Sequence, residues 1–224
     1  MKHQEVSADE LFAAMRLGSE SIVRQLVLRD ALVAHSRDES GVSAILHCLY
    51  DWDLSMMEIL LASSPGLDIF EAAALGKTER VEALLSCMPE LARTWSADGV
   101  TALHLACFYG QEEAAQRLLE GGADPSAHSR NEQGSTPLHE AAGCGHTDIV
   151  LLLLAHGAEV DATNNLGWTA LHLSASQGYQ DVVESLLRSE PHFYRTEEGQ
   201  TPRDLTRPDG HATTARVLDC LVKG

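Results

Sequence analysis

Three histidines end the same short run of residues and are the first candidates for metal chemistry. His104, His139 and His172 each close a Thr-(Ala/Pro)-Leu-His tetrapeptide. Ligands of one metal ion must all lie within about 2.0–2.3 Å of it. Side chains that repeat on successive packed helices lie roughly 10 Å apart. The spacing therefore argues against a shared metal site, and we expect no metal and no cofactor.

A thiol and an imidazole, the pair that a nucleophilic or metal-dependent enzyme would use, lie close together at Cys144 and His146. These two residues flank a turn and should point away from a core-directed His139. No Gly-x-Ser-x-Gly run and no phosphate-binding glycine run occurs anywhere in the chain. We therefore expect no catalytic site, and an enzyme that uses Cys144 and His146 is the alternative to be tested.

The elements that position these residues are clearest at residues 134–158. Thr136 is placed to cap a helix, and Pro137 suits its first position. Gly145 should end that helix and Gly157 a second one. Apolar residues at helical spacing give each helix one face to bury, at Leu138, Ala141 and Ala142 and then at Ile149, Val150, Leu153 and Leu154. Two helices this short need copies alongside them to cover those faces.

The same pattern recurs along the chain. Thr101, Thr136, Thr169 and Thr201 begin copies at steps of 35, 33 and 32 residues. A turn glycine follows nine positions after each threonine, at Gly110, Gly145, Gly178 and Gly210. Weaker copies begin near residues 9, 43 and 67, so that we count seven units.

Thr-(Pro/Ala)-Leu-His followed by alanine, a glycine turn and a leucine-rich second helix, at a period near 33, resembles the ankyrin repeat family. The resemblance is strong over residues 98–187 and weak over 1–66. It implies one all-α domain over 1–224, a solenoid of stacked antiparallel helix pairs. It also implies short β-hairpin loops along one edge and a concave face. In this family the motif histidine is structural and bridges hairpin and helix by hydrogen bonds.

Two steps depart from the regular period. From Ser43 to Leu67 the step is only 24 residues, so we expect the hairpin to be missing near residues 62–67. Asp68 and Glu71 can then open the next helix as a capping box. From Thr101 to Thr136 the step is two residues longer than usual, and the surplus fits the loop 129–134.

The last unit, residues 201–224, is expected to be a C-terminal cap. Arg203 and Asp204 replace the leucine and histidine of the motif, as suits a unit whose outer face meets water. Pro208 should shorten its first helix.

Composition limits the classes of partner. The 224 residues include 16 Lys and Arg against 33 Asp and Glu, a net charge of −17, with no basic run. Binding to a nucleic-acid backbone needs clustered positive charge, so we expect none. No apolar run reaches about 18 residues, and we expect no membrane span. The start of the chain lacks the apolar segment of a signal peptide.

Five cysteines make an odd number, and three of them, Cys48, Cys107 and Cys144, sit where the repeat usually has small residues. We interpret them as reduced thiols of a cytoplasmic protein. A monomer is expected from the resemblance.

Aromatic residues give the strongest indication of a binding surface. Trp95, Phe108, Tyr109 and Trp168 stand at positions that face the groove of ankyrin-like arrays. We expect Tyr109 and Trp168 to be exposed, whereas Trp95 and Phe108 could equally pack between units. Trp52 replaces a turn glycine and should be structural.

The sequence therefore predicts a non-catalytic module that binds another protein through its concave groove and hairpin tips. The aromatic anchors would be framed by polar tip residues that set specificity. These tip residues are Asp98, Arg130, Asn131, Glu132, Gln133, Asn165 and Leu166. The alternative is a regulatory or inhibitory subunit that acts on a basic protein through its acidic surface.

Overall fold

The computed structural model describes residues 6–63, 66–192, 195–206 and 211–221. Within these ranges the chain is helical, and its strand-like pairs are two isolated antiparallel bridges, Arg37 to Ser43 and Trp95 to Thr101. The described residues fall into two compact units. The first unit comprises residues up to 71 together with 96–98, and the second comprises 72–95 and the residues from 99 onward.

The first unit is built from two helix pairs and the start of a third. Its elements are α1 (Ala8–Arg16), α2 (Glu20–Arg29), a 3₁₀ helix (Ala31–His35), α3 (Ala44–Tyr50), α4 (Leu54–Leu61) and the beginning of α5 (Ile69–Ala74). α1 packs on α2, and α4 packs on both α2 and α3. Leu11, Val23, Ile45 and Leu60 are buried at these contacts, as the apolar spacing of each helix requires.

The second unit contains the clearest copies of the repeat. Its elements are α6 (Thr78–Cys87), a 3₁₀ helix (Pro89–Arg93), α7 (Ala102–Phe108), α8 (Glu112–Glu120), α9 (Pro137–Cys144), α10 (Thr147–Ala155), α11 (Ala170–Gln177), α12 (Gln180–Leu187) and α13 (Ala212–Leu221). α9 packs between α7 and α11, and α6, α8, α10 and α12 pack in series. The layer of α7, α9 and α11 is called the first-helix layer below. The prediction of an all-α fold made of helix pairs is confirmed.

Each motif threonine begins a helix, and the motif histidine three residues later folds back onto it. The Nδ1 atom of His104 accepts the N–H of Thr101 at 3.3 Å, and that of His139 accepts the N–H of Thr136 at 3.1 Å. His172 accepts from Thr169 in the same way, at 3.2 Å. The free backbone donor at each helix start is thereby satisfied.

The opposite ring nitrogen of the histidine ties each helix to the next loop. His104 Nε2 donates to the carbonyl oxygen of Ser135 at 2.9 Å, and His139 Nε2 donates to that of Trp168 at 2.8 Å. One nitrogen accepts and the other donates, so each ring is the neutral tautomer. Burial lowers the pKa of both rings to about 4. The structural role that the resemblance implied for these histidines is what the contacts show.

Carboxylates replace the histidine in two weaker copies. The N–H of Asp68 donates to Glu71 Oε2 at 3.0 Å, and the N–H of Glu71 donates to Asp68 Oδ1 at 2.8 Å. The predicted capping box of Asp68 and Glu71 is confirmed. In the last copy the N–H of Thr201 donates to Asp204 at 2.9 Å.

Part of what was predicted for the irregular segments lies outside the described residues. This applies to Ser64 and Pro65, in the segment where a hairpin is expected to be missing, and to Pro208 and Gly210. On either side of the first gap, α4 ends at Leu61 and α5 begins at Ile69.

Turn glycines of the second unit are required both by their backbone angles and by close contacts. Gly110, Gly145 and Gly178 have φ values of 72°, 80° and 77°, as predicted for residues that end helices. A Cβ atom added to Gly145 would lie 3.0 Å from the Tyr179 ring. Gly157 also has a positive φ, 85°, but a Cβ atom there would meet nothing within 4 Å.

Alanine substitutions at Gly145 and Gly157 separate the effect of the left-handed backbone from that of the close contact. Gly157→Ala should lower the free energy of unfolding by about 1 kcal/mol, since alanine must adopt a left-handed backbone. Gly145→Ala should cost about 1 kcal/mol more, because the methyl group also displaces Tyr179. Urea unfolding followed by circular dichroism measures both. Equal losses would mean that the Tyr179 contact imposes no constraint.

Buried neutral histidines should make the fold sensitive to mild acid. Below pH 6.5 the unfolded chain binds protons at His104 and His139, whereas the folded chain resists them down to about pH 4. The free energy of unfolding should therefore fall as the pH is lowered across this window, by at most about 3 kcal/mol per histidine.

The control is His139→Gln, which keeps an acceptor for Thr136 and a donor for Trp168 but does not titrate in this window. Its free energy of unfolding should depend less steeply on pH between 6.5 and 5 than that of the wild type, measured by urea unfolding at each pH. Identical slopes would contradict the role assigned to His139.

Candidate functional site

Hydrogen bonds join successive loop tips of the second unit. The N–H of Arg130 donates to the carbonyl oxygen of Gly99 at 2.7 Å. The N–H of Asn165 donates to that of Gln133 at 2.9 Å, and its side-chain amide donates to that of Glu132 at 3.0 Å. Each tip therefore positions the backbone of its neighbour.

Asparagine side chains also fix the two later tips from within. Asn131 Oδ1 accepts from the Ser129 hydroxyl at 2.8 Å and from the N–H of Gln133 at 3.1 Å. Asn164 Oδ1 accepts from the N–H groups of Leu166 and Trp168, each at 3.0 Å. These are the local turns that asparagine favours. The tip side chains predicted to bind a partner, residues 130–133, 165 and 166, are exposed on this fixed backbone.

Trp95 is half-buried, and Arg130 lies over its ring. The guanidinium carbon of Arg130 is 3.6 Å from the ring centroid, a cation–π contact between consecutive loops. Of the two interpretations left open for Trp95, the structure favours packing between adjacent repeats, with the Arg130 cation on its ring.

Phe108 and Tyr109 form an aromatic pair at the end of α7. Their ring centroids are 5.0 Å apart with the planes at 81°, an edge-to-face arrangement. Phe108 exposes 36% of its surface, whereas every other residue of α7 is buried. Of the two interpretations left open for Phe108, exposure is therefore the correct one.

Tyr109 and Trp168 were predicted to be exposed, and this is wrong because both are half-buried. The Tyr109 ring packs edge-on against Phe108. The Trp168 ring centroid lies 6.3 Å from that of His172, and its backbone is held by Asn164 and His139. Positions with no packing requirement in the repeat are covered here by neighbouring side chains.

Trp52 was predicted to be structural, but it exposes 66% of its surface. It does replace a turn glycine, since its φ is 55°. The indole lies on the surface of the first unit.

Asp98 belongs to the first unit, where it accepts hydrogen bonds from the Tyr50 and Ser96 hydroxyls. Its role in partner binding stays a prediction, as do those of the other tip residues.

Glu140, on α9, was missed by the sequence reasoning. It is half-buried, and burial raises the pKa of its carboxyl group to about 7. The hydroxyl of Ser135 donates to it, which partly offsets the effect of burial. The signal was present in the sequence, because Leu105 and Leu173 occupy the same position in the adjacent copies.

The structure gives no support to a nucleophile at Cys144. Burial and the nearby Glu140 raise the pKa of this thiol to about 11, so little reactive thiolate forms at neutral pH. His146 Nε2 instead donates to the carbonyl oxygen of Phe108 at 3.2 Å. Cys48, Cys87, Cys107 and Cys144 are free thiols.

In the described ranges no group of three or more His, Cys, Asp or Glu residues is arranged to hold a metal ion. None of the helices in those ranges combines the length and the hydropathy that a membrane span requires.

Comparison with known proteins gives a consistent result. A family model described as ankyrin repeats (3 copies) matches residues 11–129 and 125–197. Tyrosine-protein kinase HTK16 of Hydra vulgaris is 33% identical over 164 residues, which cover 70% of this chain and 21% of the kinase. Protein phosphatase 1 regulatory subunit 27 of Homo sapiens is 38% identical over 92 residues, which cover 41% of this chain and 58% of that protein.

Probable E3 ubiquitin-protein ligase XBOS31 of Oryza sativa subsp. japonica is 42% identical over 94 residues, 42% of this chain and 21% of the ligase. The chain thus covers less than two thirds of each of these relatives. The family model spans most of the chain. The helix pairs, histidine bridges and glycine turns of the structure follow the pattern that the resemblance to this family implied. The chain belongs to the ankyrin repeat family.

Proposed function

We propose that the second unit binds a segment of another protein across its first-helix layer and the adjoining loop tips. Ankyrin repeats are protein-interaction modules, which supports a protein as the partner. The observation that carries the proposal is Phe108, an aromatic side chain left exposed on a helix whose other residues are buried. Exposed aromatic residues with polar surroundings are typical anchors of protein interfaces.

The rigidity of the surroundings favours such a role. Hydrogen bonds already fix the backbone of the loop tips, so a partner would not have to order them on binding. Exposed side chains there that take no part in the contacts described above, those of Glu132, Gln133 and Leu166, can vary without loss of the fold. Specificity would reside in these residues and affinity in the aromatic pair.

A second candidate is a regulatory subunit that acts on a basic protein or enzyme through its acidic surface. The net charge of −17 supports it, and so does the likeness to a protein named as a phosphatase regulatory subunit. Such binding would weaken strongly with added salt and would depend little on Phe108. A cytoplasmic location and a monomeric state are proposed with either candidate.

Two matched alanine variants test the binding surface. Phe108 on α7 and Leu151 on α10 expose similar fractions of their side chains, 36% and 43%, but only Phe108 lies on the first-helix layer. Proteins retained from a source-cell lysate by the wild type should be lost with Phe108→Ala and kept with Leu151→Ala. Quantitative mass spectrometry of the retained fractions measures the difference, and at least a tenfold drop is expected for an anchor residue.

Equal retention by both variants at low salt, followed by release at about 0.3 M salt, would contradict the first proposal and support the acidic-surface candidate. Loss with Leu151→Ala as well as Phe108→Ala would point to unfolding, which circular dichroism of each variant checks.

A further inference from the structure

Glu140 places a carboxyl group in a row of apolar residues on the first-helix layer. It lies four residues after its helix-capping threonine, the position that Leu105 holds in α7 and Leu173 in α11. Because α9 packs between those two helices, Glu140 stands at the centre of the row. An acid at this position costs free energy unless it is compensated.

Interactions within the chain stabilise the charged carboxylate of Glu140 only weakly. The Ser135 hydroxyl donates a hydrogen bond to the carboxyl group, but no ion pair joins Glu140 to a lysine or arginine of the described ranges. Burial is the largest cause of its raised pKa, which means that the charged form lacks adequate partners in the free protein.

The row of side chains is interrupted close to Glu140. One turn further along α9 stands Gly143, where α7 has Phe108 and α11 has Ser176. A Cβ atom added to Gly143 would lie 3.7 Å from Leu173 Cδ1, so this leucine borders the gap on one side. The repeat register places the exposed Phe108 on the other side. The missing side chain at Gly143, between these two apolar residues and one turn from an acid, is called the recess below.

We propose that Glu140 receives a lysine or arginine side chain of the bound protein segment, with its methylene stem against Phe108 and Leu173 and its charge on the carboxylate. This inference rests on the proposed function and specifies the chemistry of the partner. Lysine and arginine combine an apolar stem with a cationic end, which matches the recess. The contact is one specific ion pair, in contrast to general attraction by the acidic surface.

The titratable groups around Glu140 do not compete with it for the incoming cation. Titratable residues on the helices packed against α9 are His104 and Cys107 on α7, Asp148 on α10 and His172 on α11, while α9 itself carries His139 and Cys144. Burial, together with the nearby Glu140, raises the pKa of Cys107 and Cys144, so both thiols stay neutral near pH 7. The incoming cation should therefore displace the proton of Glu140 itself, about half a proton per complex at pH 7.

The probe is a library of random 12-residue peptides displayed on phage and selected on the immobilised full chain at pH 7.5. Selection on the wild type should enrich peptides with a lysine or arginine at a fixed distance from an apolar residue. Selection on Glu140→Gln should lose the basic residue and keep the apolar one. Glu113→Gln on α8, which makes the same change in net charge at an exposed position, should behave as the wild type.

Calorimetry with a selected peptide supplies an independent readout. Affinity should fall at least tenfold with Glu140→Gln, and an equal loss should follow when the peptide's basic residue is replaced by norleucine. At pH 7 the binding enthalpy of the wild type should vary with the ionisation enthalpy of the buffer, and that of Glu140→Gln should not. A basic residue selected equally by both proteins, or an enthalpy independent of buffer, would overturn the inference.

Stability separates a binding role from a structural one. Glu140→Leu restores the residue of the adjacent repeats and should raise the melting midpoint by about 5 °C at pH 8, and by less at pH 5 where the wild-type acid is protonated. Peptide binding should be lost all the same. A lower midpoint with this variant would overturn the inference. Recovery of no peptides by the wild type would instead refute the proposed function.

Discussion

The second unit depends on one hydrogen-bonded group, the motif histidine. Its Nδ1 atom completes the helix that it belongs to, and its Nε2 atom holds the loop before the next helix. Both bonds are buried, where a hydrogen bond left unmade is costly. The imidazole must therefore stay neutral. Both ring nitrogens of His104 and of His139 are used in these hydrogen bonds, so neither nitrogen is left to bind a metal ion. The same residue type that suggested chemistry in the sequence is fully used in holding repeats together.

The carboxylates that replace the histidine can take over its local hydrogen bond to the backbone but not its bond to the next loop. Glu71 accepts from the backbone at the start of its own helix, as the histidines do, and Asp204 accepts from the backbone of Thr201 at the start of a turn. An ionised carboxylate has no hydrogen to donate, so it cannot bind the carbonyl oxygen of a following loop. Local capping thus survives in these copies without the bridging bond.

The parts of the fold that follow local rules were predictable from the sequence. Helix starts at Thr101 and Thr169, the capping box at Asp68 and the turn at Gly145 each depend on residues within a few positions of one another. Exposure was less predictable, because it depends on side chains about 30 positions away. Arg130 covers Trp95, and the loop that holds Trp168 is fixed from His139. The exposed indole at Trp52 could not be foreseen, since a tryptophan at a left-handed turn gives no indication of its direction.

Because hydrogen bonds within the repeats already satisfy the helix starts and loops, the fold can tolerate individual residues that do not stabilise it. Phe108 leaves 36% of its surface exposed, and half-buried Glu140 lowers the free energy of unfolding as the pH rises to about 7. The adjacent repeats show that leucine is accommodated at the position of Glu140, so the fold itself does not require an acid there. Residues that lower stability on an otherwise regular surface are typical of sites under functional constraint. Because Phe108 and Glu140 lie on adjacent packed helices, one partner segment can compensate both.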